Sequence, residues 1–380
     1  MKRFVLFLSL CCALAGLAGT ALAAEPIRIG AVLSVTGPAS FLGEPERNTA
    51  VMVVERINAE GGVLGRPLDL IVYDDESDVN KAVLAVDKLL KKDGAVAIIG
   101  PSTSGNTLAV MNKFERARVP LVSCSAAEKI TNPVNPWVFK VAPSDRHAAQ
   151  RILEHAAQKG YKRLSIITVS DGFGQAGREV LKELIPAQGF TLVSDEVYGP
   201  KDTDMTAQLT KIKAQNPDAV ICWGTNPGPA VIARNRTQLG LDVPLYMSHG
   251  VASRRFIELA GDAAEGLHLP AGRLIVAELL PEDHPQKALL TTYAREYEAR
   301  FAQPVSTFGG HAYDAIMLLA EAMRMGGSAD PAAIRDNLER ITGFYGTAGR
   351  FDFSETDHNG LSLDAFEMVI IRDGDWRIAD

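Results

Sequence analysis

The sequence has 380 residues, 47% of them hydrophobic, and a formal net charge of −7 at pH 7. A chain of this length is longer than one hydrophobic core usually organises, so two domains are expected. The acidic balance argues against nucleic acid and against an anionic membrane surface as partners, because both are negatively charged.

The first residues have the pattern of a targeting segment. Lys2 and Arg3 precede an apolar run over residues 4–22, which ends in the small-residue site Ala21-Leu22-Ala23. Residues 1–23 are therefore predicted to be a signal peptide that directs the mature chain to the periplasm. No later apolar run is long enough to span a bilayer.

Two of the four cysteines, Cys124 and Cys222, lie outside this segment. An exported protein can form disulfides. Both residues sit in apolar, strand-like contexts, however, and this favours two buried free thiols.

From residue 27 onward, apolar strands alternate with amphipathic helices. Strands are predicted over 27–33, 68–73, 95–99 and 119–123, and helices over 44–59, 79–92 and 107–117. A second set begins near residue 144, with strands over 164–169, 190–197, 219–223 and 244–247 and helices over 146–159, 173–188, 205–214 and 229–239. Helices over 284–301, 307–325 and 331–340 and a strand over 366–371 follow, and the pattern does not assign them to either set. This alternation predicts an α/β fold with parallel sheets flanked by helices.

The turn after the third strand, Gly100-Pro101-Ser102-Thr103-Ser104-Gly105, combines glycines with hydroxyl side chains. Ser104 is predicted to cap the next helix through its side-chain oxygen. The free N–H groups of the first helical turn and the positive end of the helix dipole favour an anion. Because the turn has no lysine and no Gly-x-x-x-x-Gly-Lys-Ser/Thr pattern, a carboxylate is expected rather than a nucleoside triphosphate. An ordinary capped turn without a ligand is the alternative.

Open parallel sheets bind ligands beyond the carboxyl ends of their strands. The polar segments that follow predicted strands are residues 34–42, 102–104, 123–127, 170–173, 225–226 and 248–249. Two units that present such edges to each other would form a cleft, which is a common place for a small-molecule site.

Several short motifs, taken in their order and spacing, resemble those of a known family. They are Ser34-Val35-Thr36-Gly37-Pro38, Ile57-Asn58-Ala59-Glu60-Gly61-Gly62, Tyr73-Asp74-Asp75, Asp171-Gly172-Phe173-Gly174 and Ala264-Glu265-Gly266. Over nearly the whole mature chain, the sequence resembles the substrate-binding proteins of ABC importers for branched-chain amino acids, the Leu/Ile/Val-binding proteins. The resemblance implies the type I periplasmic-binding fold, with two Rossmann-like lobes joined by a three-crossover hinge. The first lobe would take residues 24–143 and about 271–353, and the second 144–270 and about 354–380.

The resemblance also implies which residues surround the ligand. In the family, the turn that here contains Ser104 and the segment after the fourth strand hold the ligand carboxylate. An aromatic side chain of the second lobe, here Phe173, closes over the ligand. His249 stands where amino-acid binders have an acidic residue for the ligand ammonium. The implied ligand-binding residues are Leu42 (in place of a tyrosine), Ser102, Ser104, Ser125, Ala126, Ala127, Phe173, Asn226, His249 and Phe308.

His249 decides the expected class of ligand. Burying an ammonium group without a carboxylate or several acceptors is costly, and a histidine is neutral or positive near neutral pH. Together with Phe173, Trp223 and Phe308, His249 suits a flat aromatic acid such as a benzoate or a hydroxycinnamate. A branched-chain or other amino acid is the alternative, with His249 turned away and a neighbouring acid binding the ammonium.

An enzyme is the main rival function. Gly172-Phe173-Gly174-Gln175-Ala176-Gly177 matches the dinucleotide fingerprint, so an NAD-dependent oxidoreductase is a remote alternative. The motif lies in the middle of the chain, however, and Ser170-Asp171 separates it from its strand. The sequence has no Gly-x-Ser-x-Gly elbow and no His-Glu-x-x-His pair that would indicate a hydrolase. We therefore expect no enzyme activity, no cofactor and no metal.

The expected mechanism is that of a monomeric binding protein. A small carboxylate would dock on the first lobe, and the second lobe would close over it by hinge motion. An inner-membrane ABC permease would then recognise the closed form. The same fold also serves as the ligand-binding half of sensors, in which case signalling would need a partner protein.

Overall fold

The computed structural model describes residues 25–379 of the chain. The predicted signal peptide lies outside these residues. Among the described helices, none combines the length and the apolar character that crossing a bilayer requires. Cys124 and Cys222 are both buried and unpaired, as the sequence indicates.

The first sheet consists of five parallel strands whose residues are mostly buried. They are β1 (Ile27–Leu33), β2 (Leu68–Asp74), β3 (Ala97–Ile99), β4 (Leu121–Ser123) and β5 (Val138–Lys140), in the spatial order β2-β1-β3-β4-β5. The connecting helices are α1 (Ser40–Ala59), α2 (Val79–Lys88) and α3 (Ser104–Ala117). Helices on both faces of the sheet explain why its inner strands are mostly apolar, whereas the edge strand β2 is only partly buried.

The second sheet has seven strands. Its parallel part contains β6 (Arg163–Val169), β7 (Thr191–Tyr198), β8 (Ala219–Trp223), β9 (Leu245–Met247) and β10 (His268–Ala271), and the antiparallel strands β13 (Glu367–Arg372) and β14 (Asp375–Ile378) complete it. The spatial order is β14-β13-β10-β9-β8-β6-β7. Its helices are α4 (Asp145–Gln158), α5 (Gly172–Ala187), α6 (Thr206–Ala214), α7 (Gly228–Gln238) and α8 (Arg254–Ala260). A small hairpin of β11 (Phe344–Tyr345) and β12 (Arg350–Phe351) precedes β13.

The late helices belong to the first sheet, which answers the question that the sequence pattern leaves open. They are α9 (Lys287–Phe301), α10 (Thr307–Gly326) and α11 (Pro331–Leu338). Leu319 and Met323 of α10 share one buried core with Ile29 of β1 and Val53 of α1. The chain therefore leaves the first lobe before α4, returns to it after β10 and leaves it again before β13. The exact residue boundaries of the lobes stay a prediction.

Some predicted elements need correction. Helix α3 begins at Ser104, not at residue 107, and its cap is Thr103, whose Oγ1 accepts a hydrogen bond from the Asn106 N–H at 3.4 Å. The prediction that Ser104 is the cap is therefore wrong, because two adjacent hydroxyl residues offered the same capping chemistry. The strand predicted over residues 366–371 is not the last one, since β14 follows it across a tight turn.

Candidate functional site

A cavity of about 480 Å³ lies between the two lobes, at the carboxyl ends of strands from both sheets. Its volume falls within the roughly 300–1,000 Å³ that is usual for small-molecule sites. All of the predicted ligand-binding residues except Ala127 line it: Leu42, Ser102, Ser104, Ser125, Ala126, Phe173, Asn226, His249 and Phe308. Ala127 is fully buried in the core beside the cavity.

Ser104 has a hydroxyl proton that is free to face the cavity. Its Oγ accepts a hydrogen bond from the Ala127 N–H at 3.2 Å. This contact uses a lone pair of the oxygen and leaves the proton available as a donor. Ala127 thus takes part through its backbone, by orienting Ser104, rather than by lining the cavity.

Lys140 lies behind this contact. Its Nζ is fully buried and donates hydrogen bonds to the carbonyl oxygens of Ala126 at 3.0 Å and Ala127 at 3.4 Å. The Ala126 carbonyl belongs to the peptide whose N–H donates to Ser104. A charged donor polarises such a chain of hydrogen bonds, so Lys140 makes the Ser104 hydroxyl a stronger donor.

The Ser125 hydroxyl is not available to a ligand, although the residue lines the cavity. Its Oγ donates to the Pro101 carbonyl oxygen at 2.8 Å and lies 2.8 Å from Thr107 Oγ1. In this position, Ser125 fixes the turn after β3 against the segment after β4. Its contribution to the cavity surface is structural.

A buried network also surrounds Ser102. Its Oγ accepts from the Ser34 N–H at 3.0 Å and is hydrogen-bonded to a carboxyl oxygen of Glu46, which is buried on α1. Ser34 Oγ in turn donates to Asp75 at 2.6 Å, and Asp75 accepts from Asn106 Nδ2 at 2.8 Å. These contacts connect α1, β1, β2 and α3 beneath one wall of the cavity.

The rings of Phe173 and His249 line the opposite side. The Phe173 and His249 ring centroids lie 5.5 Å apart in an edge-to-face arrangement. Trp223 contacts both rings, at 5.9 Å from Phe173 and 5.6 Å from His249, but it is fully buried and does not line the cavity. The expectation that Trp223 contributes directly to the site is therefore wrong, since it supports the other two rings from behind.

His249 is an uncharged imidazole at neutral pH. Burial lowers its pKa to about 3, and the nearby His311 and Lys140 act in the same direction. Its Nε2 lies 3.6 Å from Asp145 Oδ1, and Asp145 is itself fully buried. Burial raises the pKa of Asp145, whereas the positive charge of Lys140 opposes that rise.

Several polar atoms on the second-lobe side lack a hydrogen bond within residues 25–379. They include both amide atoms of Asn226 and both ring nitrogens of His249, and the two residues are more than nine-tenths buried. Buried polar groups usually have a partner, and leaving one unpaired costs free energy. A ligand in the cavity could supply partners for these atoms.

The helices α3 and α5 meet across the cavity. A Cβ atom on Gly172, the first residue of α5, would lie only 2.8 Å from the Gly105 Cα. An exposed ion pair between Lys129 and Glu179, at 2.5 Å, also joins the two sides. The lobes are therefore in contact, and the N-termini of two helices converge on one space.

The glycine motif of α5 has a packing role. A Cβ on Gly174 would overlap the Val169 carbonyl oxygen, and one on Gly177 would overlap the Trp223 indole. These glycines allow α5 to lie close to its own sheet, which explains the motif without a bound dinucleotide. The geometry gives no support to the dinucleotide alternative.

Comparisons with known proteins show the family and the fold. A family model described as "Periplasmic binding protein" matches residues 26–370. The chain belongs to the periplasmic binding protein family. The type I fold with two lobes is thereby confirmed.

Three proteins that are similar to this periplasmic binding protein carry informative names. The leucine-, isoleucine-, valine-, threonine- and alanine-binding protein of Pseudomonas aeruginosa is 28% identical, over 90% of each chain. An extracellular ligand-binding receptor of Rhodopseudomonas palustris is 30% identical with a TM-score of 0.87, over 93% of this chain and 99% of the other. A branched-chain amino acid transporter substrate binding protein of Streptococcus pneumoniae, in complex with isoleucine, has a TM-score of 0.80 at 23% identity, over 92% and 97%. The last likeness concerns the fold alone.

Four buried ionisable residues near the site of this periplasmic binding protein were not predicted from the sequence. Glu46 and Lys140 support the first-lobe side, and Asp145 and His311 lie beside His249. The only signal in the sequence is a charged residue inside an apolar segment, as in Val138-Phe139-Lys140-Val141. That signal indicates burial but does not reveal a partner.

Proposed function

We propose that this protein is the solute-binding component of an ABC importer and binds a small α-amino acid between its lobes. The observation that carries the proposal is the convergence of the α3 and α5 N-termini and the free Ser104 proton on one enclosed cavity. Helix N-termini and hydroxyl donors favour a carboxylate. The names of the relatives support an amino acid over the aromatic acid that the sequence favoured.

An α-amino acid also needs acceptors for its ammonium group. Asn226 Oδ1 has no partner among the described residues. Asp171 lines the same cavity, and its Oδ1 caps α5 by accepting from the Gly174 N–H at 2.9 Å. A neutral His249 can accept through one ring nitrogen, with the Asp145 carboxyl behind it. These groups support an ammonium site on the second-lobe side, although the acid expected at position 249 is missing.

The same proposal includes the mechanism and the cellular setting. Ligand binds first to the first lobe, and contacts made only in the closed form then favour closure. We take the lobes to be residues 24–143 with about 271–353, and 144–270 with about 354–380. The protein would act as a monomer in the periplasm, without catalysis, and deliver its ligand to an inner-membrane permease.

An aromatic acid is the second candidate, and one observation favours it. The cavity is lined by the Phe173, Phe308 and His249 rings and by the aliphatic Leu42, so much of its surface is apolar. A flat ring could pack on these side chains while its carboxylate reaches Ser104. The neutral His249 would then bind a hydroxyl substituent instead of assisting an ammonium.

A thermal-shift screen of the chain from residue 24 tests both candidates. Leucine, isoleucine, valine, alanine and phenylalanine would be compared with benzoate, 4-hydroxybenzoate and coumarate. A ligand that binds the folded state raises the unfolding midpoint by mass action. Stabilisation by amino acids supports the first candidate, and stabilisation only by acids without an amine supports the second. If neither group stabilises the protein, the proposed function is wrong.

A further inference from the structure

We propose that Glu46 carries a proton in the folded protein and thereby makes Ser102 a second hydroxyl donor to the ligand carboxylate. Glu46 is then a positioning residue, because it acts through Ser102 and does not touch the ligand. The carboxylate ligand itself rests on the proposed function. The protonation of Glu46 can be tested without any ligand.

The number of hydrogen bonds at Ser102 depends on whether Glu46 is protonated. Its oxygen accepts from the Ser34 N–H at 3.0 Å and contacts a carboxyl oxygen of Glu46. A serine hydroxyl has one proton and two lone pairs. If Glu46 is ionised, it can only accept, and Ser102 must give it this one proton. If Glu46 is protonated, Glu46 donates, and the Ser102 proton is free to face the cavity that Ser102 lines.

Of the two buried carboxyls in this network, Asp75 has the surroundings that stabilise a negative charge. Asp75 accepts three hydrogen bonds, from Ser34 Oγ at 2.6 Å, Asn106 Nδ2 at 2.8 Å and the Ser77 N–H at 2.9 Å. Glu46 has a single hydrogen-bond partner in the part of the chain that the structure describes, namely Ser102. Several donors stabilise an ionised carboxylate, and two nearby buried carboxyls resist ionising together. The proton therefore belongs on Glu46.

The electrostatic surroundings of Glu46 agree with this assignment. Burial raises the pKa of Glu46 well above its ordinary value; its hydrogen bond to Ser102 opposes the rise, and the negative charge of Asp75 adds to it. The Cys124 thiol also interacts with Glu46, and burial raises the pKa of that thiol, so it stays neutral. A ligand carboxylate beside Ser102 would add a further negative charge and hold the proton on Glu46 more firmly.

Infrared difference spectroscopy tests the proton directly. At pH 8, exposed glutamates with an ordinary pKa near ~4.3 are ionised, so a protonated carboxyl band reports a buried acid. We expect this band in the wild type and in Glu60→Gln, a matched change at an exposed position after the same helix. The band should be absent from Glu46→Gln. Labelling with ¹³C-glutamate should shift it, which separates Glu46 from buried aspartates and also serves if Glu46→Gln does not fold.

Calorimetry then tests the donor. With leucine as the probe, or 4-hydroxybenzoate if leucine does not bind, Ser102→Ala should weaken affinity roughly 10-fold or more, because the carboxylate loses a donor. Absence of the glutamic acid band, or unchanged affinity in Ser102→Ala, overturns the proposal. If the band is present but neither probe binds the wild type, then Glu46 is protonated as inferred and the proposed function fails instead.

Discussion

The two sides of the cavity differ in how completely their polar groups are satisfied. We define the first-lobe wall as Ser102, Ser104, Asn106 and Ser125, and the second-lobe wall as Phe173, Asn226 and His249. Each side chain of the first-lobe wall has a hydrogen-bond partner within its own lobe. The polar side chains of the second-lobe wall have none among residues 25–379.

This difference indicates the order of events during binding. A wall whose side chains are already held in place can bind a carboxylate with little further loss of side-chain conformational entropy. A wall with unsatisfied buried groups gains most when a ligand arrives and the lobes close over it. The first-lobe wall therefore suits initial docking, and the second-lobe wall suits closure and selection among ligands.

The largest expected effect is at Ser104, a first-lobe hydroxyl whose oxygen accepts from the Ala127 N–H and whose proton is free. Ser104→Ala should weaken ligand binding by roughly 1.5–3 kcal/mol, because a charged carboxylate loses a donor. Ser125→Ala is the matched control, since that hydroxyl is bonded to Pro101. It should affect thermal stability more than affinity. Calorimetry that finds the two variants equally weakened would contradict the distinction between a free and a bonded hydroxyl.

Gly172 and Gly105 face each other where the lobes meet, and a Cβ atom should disturb this contact at Gly172 but not at Gly105. Gly172→Ala places a Cβ 2.8 Å from the Gly105 Cα, so closure should become less favourable by roughly 1–3 kcal/mol. A Cβ on Gly105 has its nearest cross-lobe atoms at 4.0 Å, which is ordinary contact. Gly105→Ala should therefore bind almost normally. Equal loss of affinity in both variants would argue against this closed geometry.

Asn106 lies in the first-lobe wall and Asn226 in the second-lobe wall, so substituting each asparagine tests the difference between the walls. Asn106→Leu leaves Asp75 short of a donor and should lower the free energy of unfolding of the unliganded protein by roughly 1–2 kcal/mol. Asn226→Leu removes an amide without a partner, so unliganded stability should stay the same or rise, whereas affinity falls. Denaturant unfolding with and without ligand measures both quantities. A loss of unliganded stability in Asn226→Leu would show that its amide has a partner after all.

The smallest expected effect is a pH dependence at His249. Its pKa is about 3 in the folded protein, against about 6.5 when unfolded. Between these values the unfolded chain binds more protons, so stability is lost as the pH falls below about 6.5. His249→Gln should reduce the loss between pH 6 and pH 5 by about 1 kcal/mol. The free energy of unfolding would be measured with urea at each pH. If it depends on pH equally in the wild type and in His249→Gln, then His249 is accessible to protons in the folded state.

The sequence predicted the location of the site better than the hydrogen bonds within it. Strand ends in a parallel sheet share one edge, so the strand pattern placed Ser104 at the edge of one sheet and Phe173 and His249 at the edge of the other. That the two edges face each other was implied by the resemblance to a two-lobed family. Whether they contact the ligand stays a prediction. The choice between Thr103 and Ser104 as the helix cap could not be made, because both side chains have the same chemistry.

Other features depend on contacts between distant segments. Lys140 and Ala126, or Glu46 and Ser102, become neighbours only in the folded chain. The packing of α10 on α1 could likewise not be predicted without knowing how the chain passes between the lobes. The class of ligand could not be predicted from a single residue. The aromatic-acid prediction rested on His249, and the sequence did not reveal that Asp145 and Asp171 lie nearby.

The meeting of α3 and α5 has an electrostatic consequence for an empty protein. Each helix N-terminus carries about half of a positive elementary charge, and closure brings two of them together. Like charges repel, and although the Asp171 carboxyl that caps α5 offsets part of this repulsion, an anion between the two N-termini should favour closure over the empty state. The charge of the ligand then acts as a gate. An uncharged amide of the same size and shape would fill the cavity without cancelling that repulsion, and the permease would meet few closed proteins that carry the wrong solute.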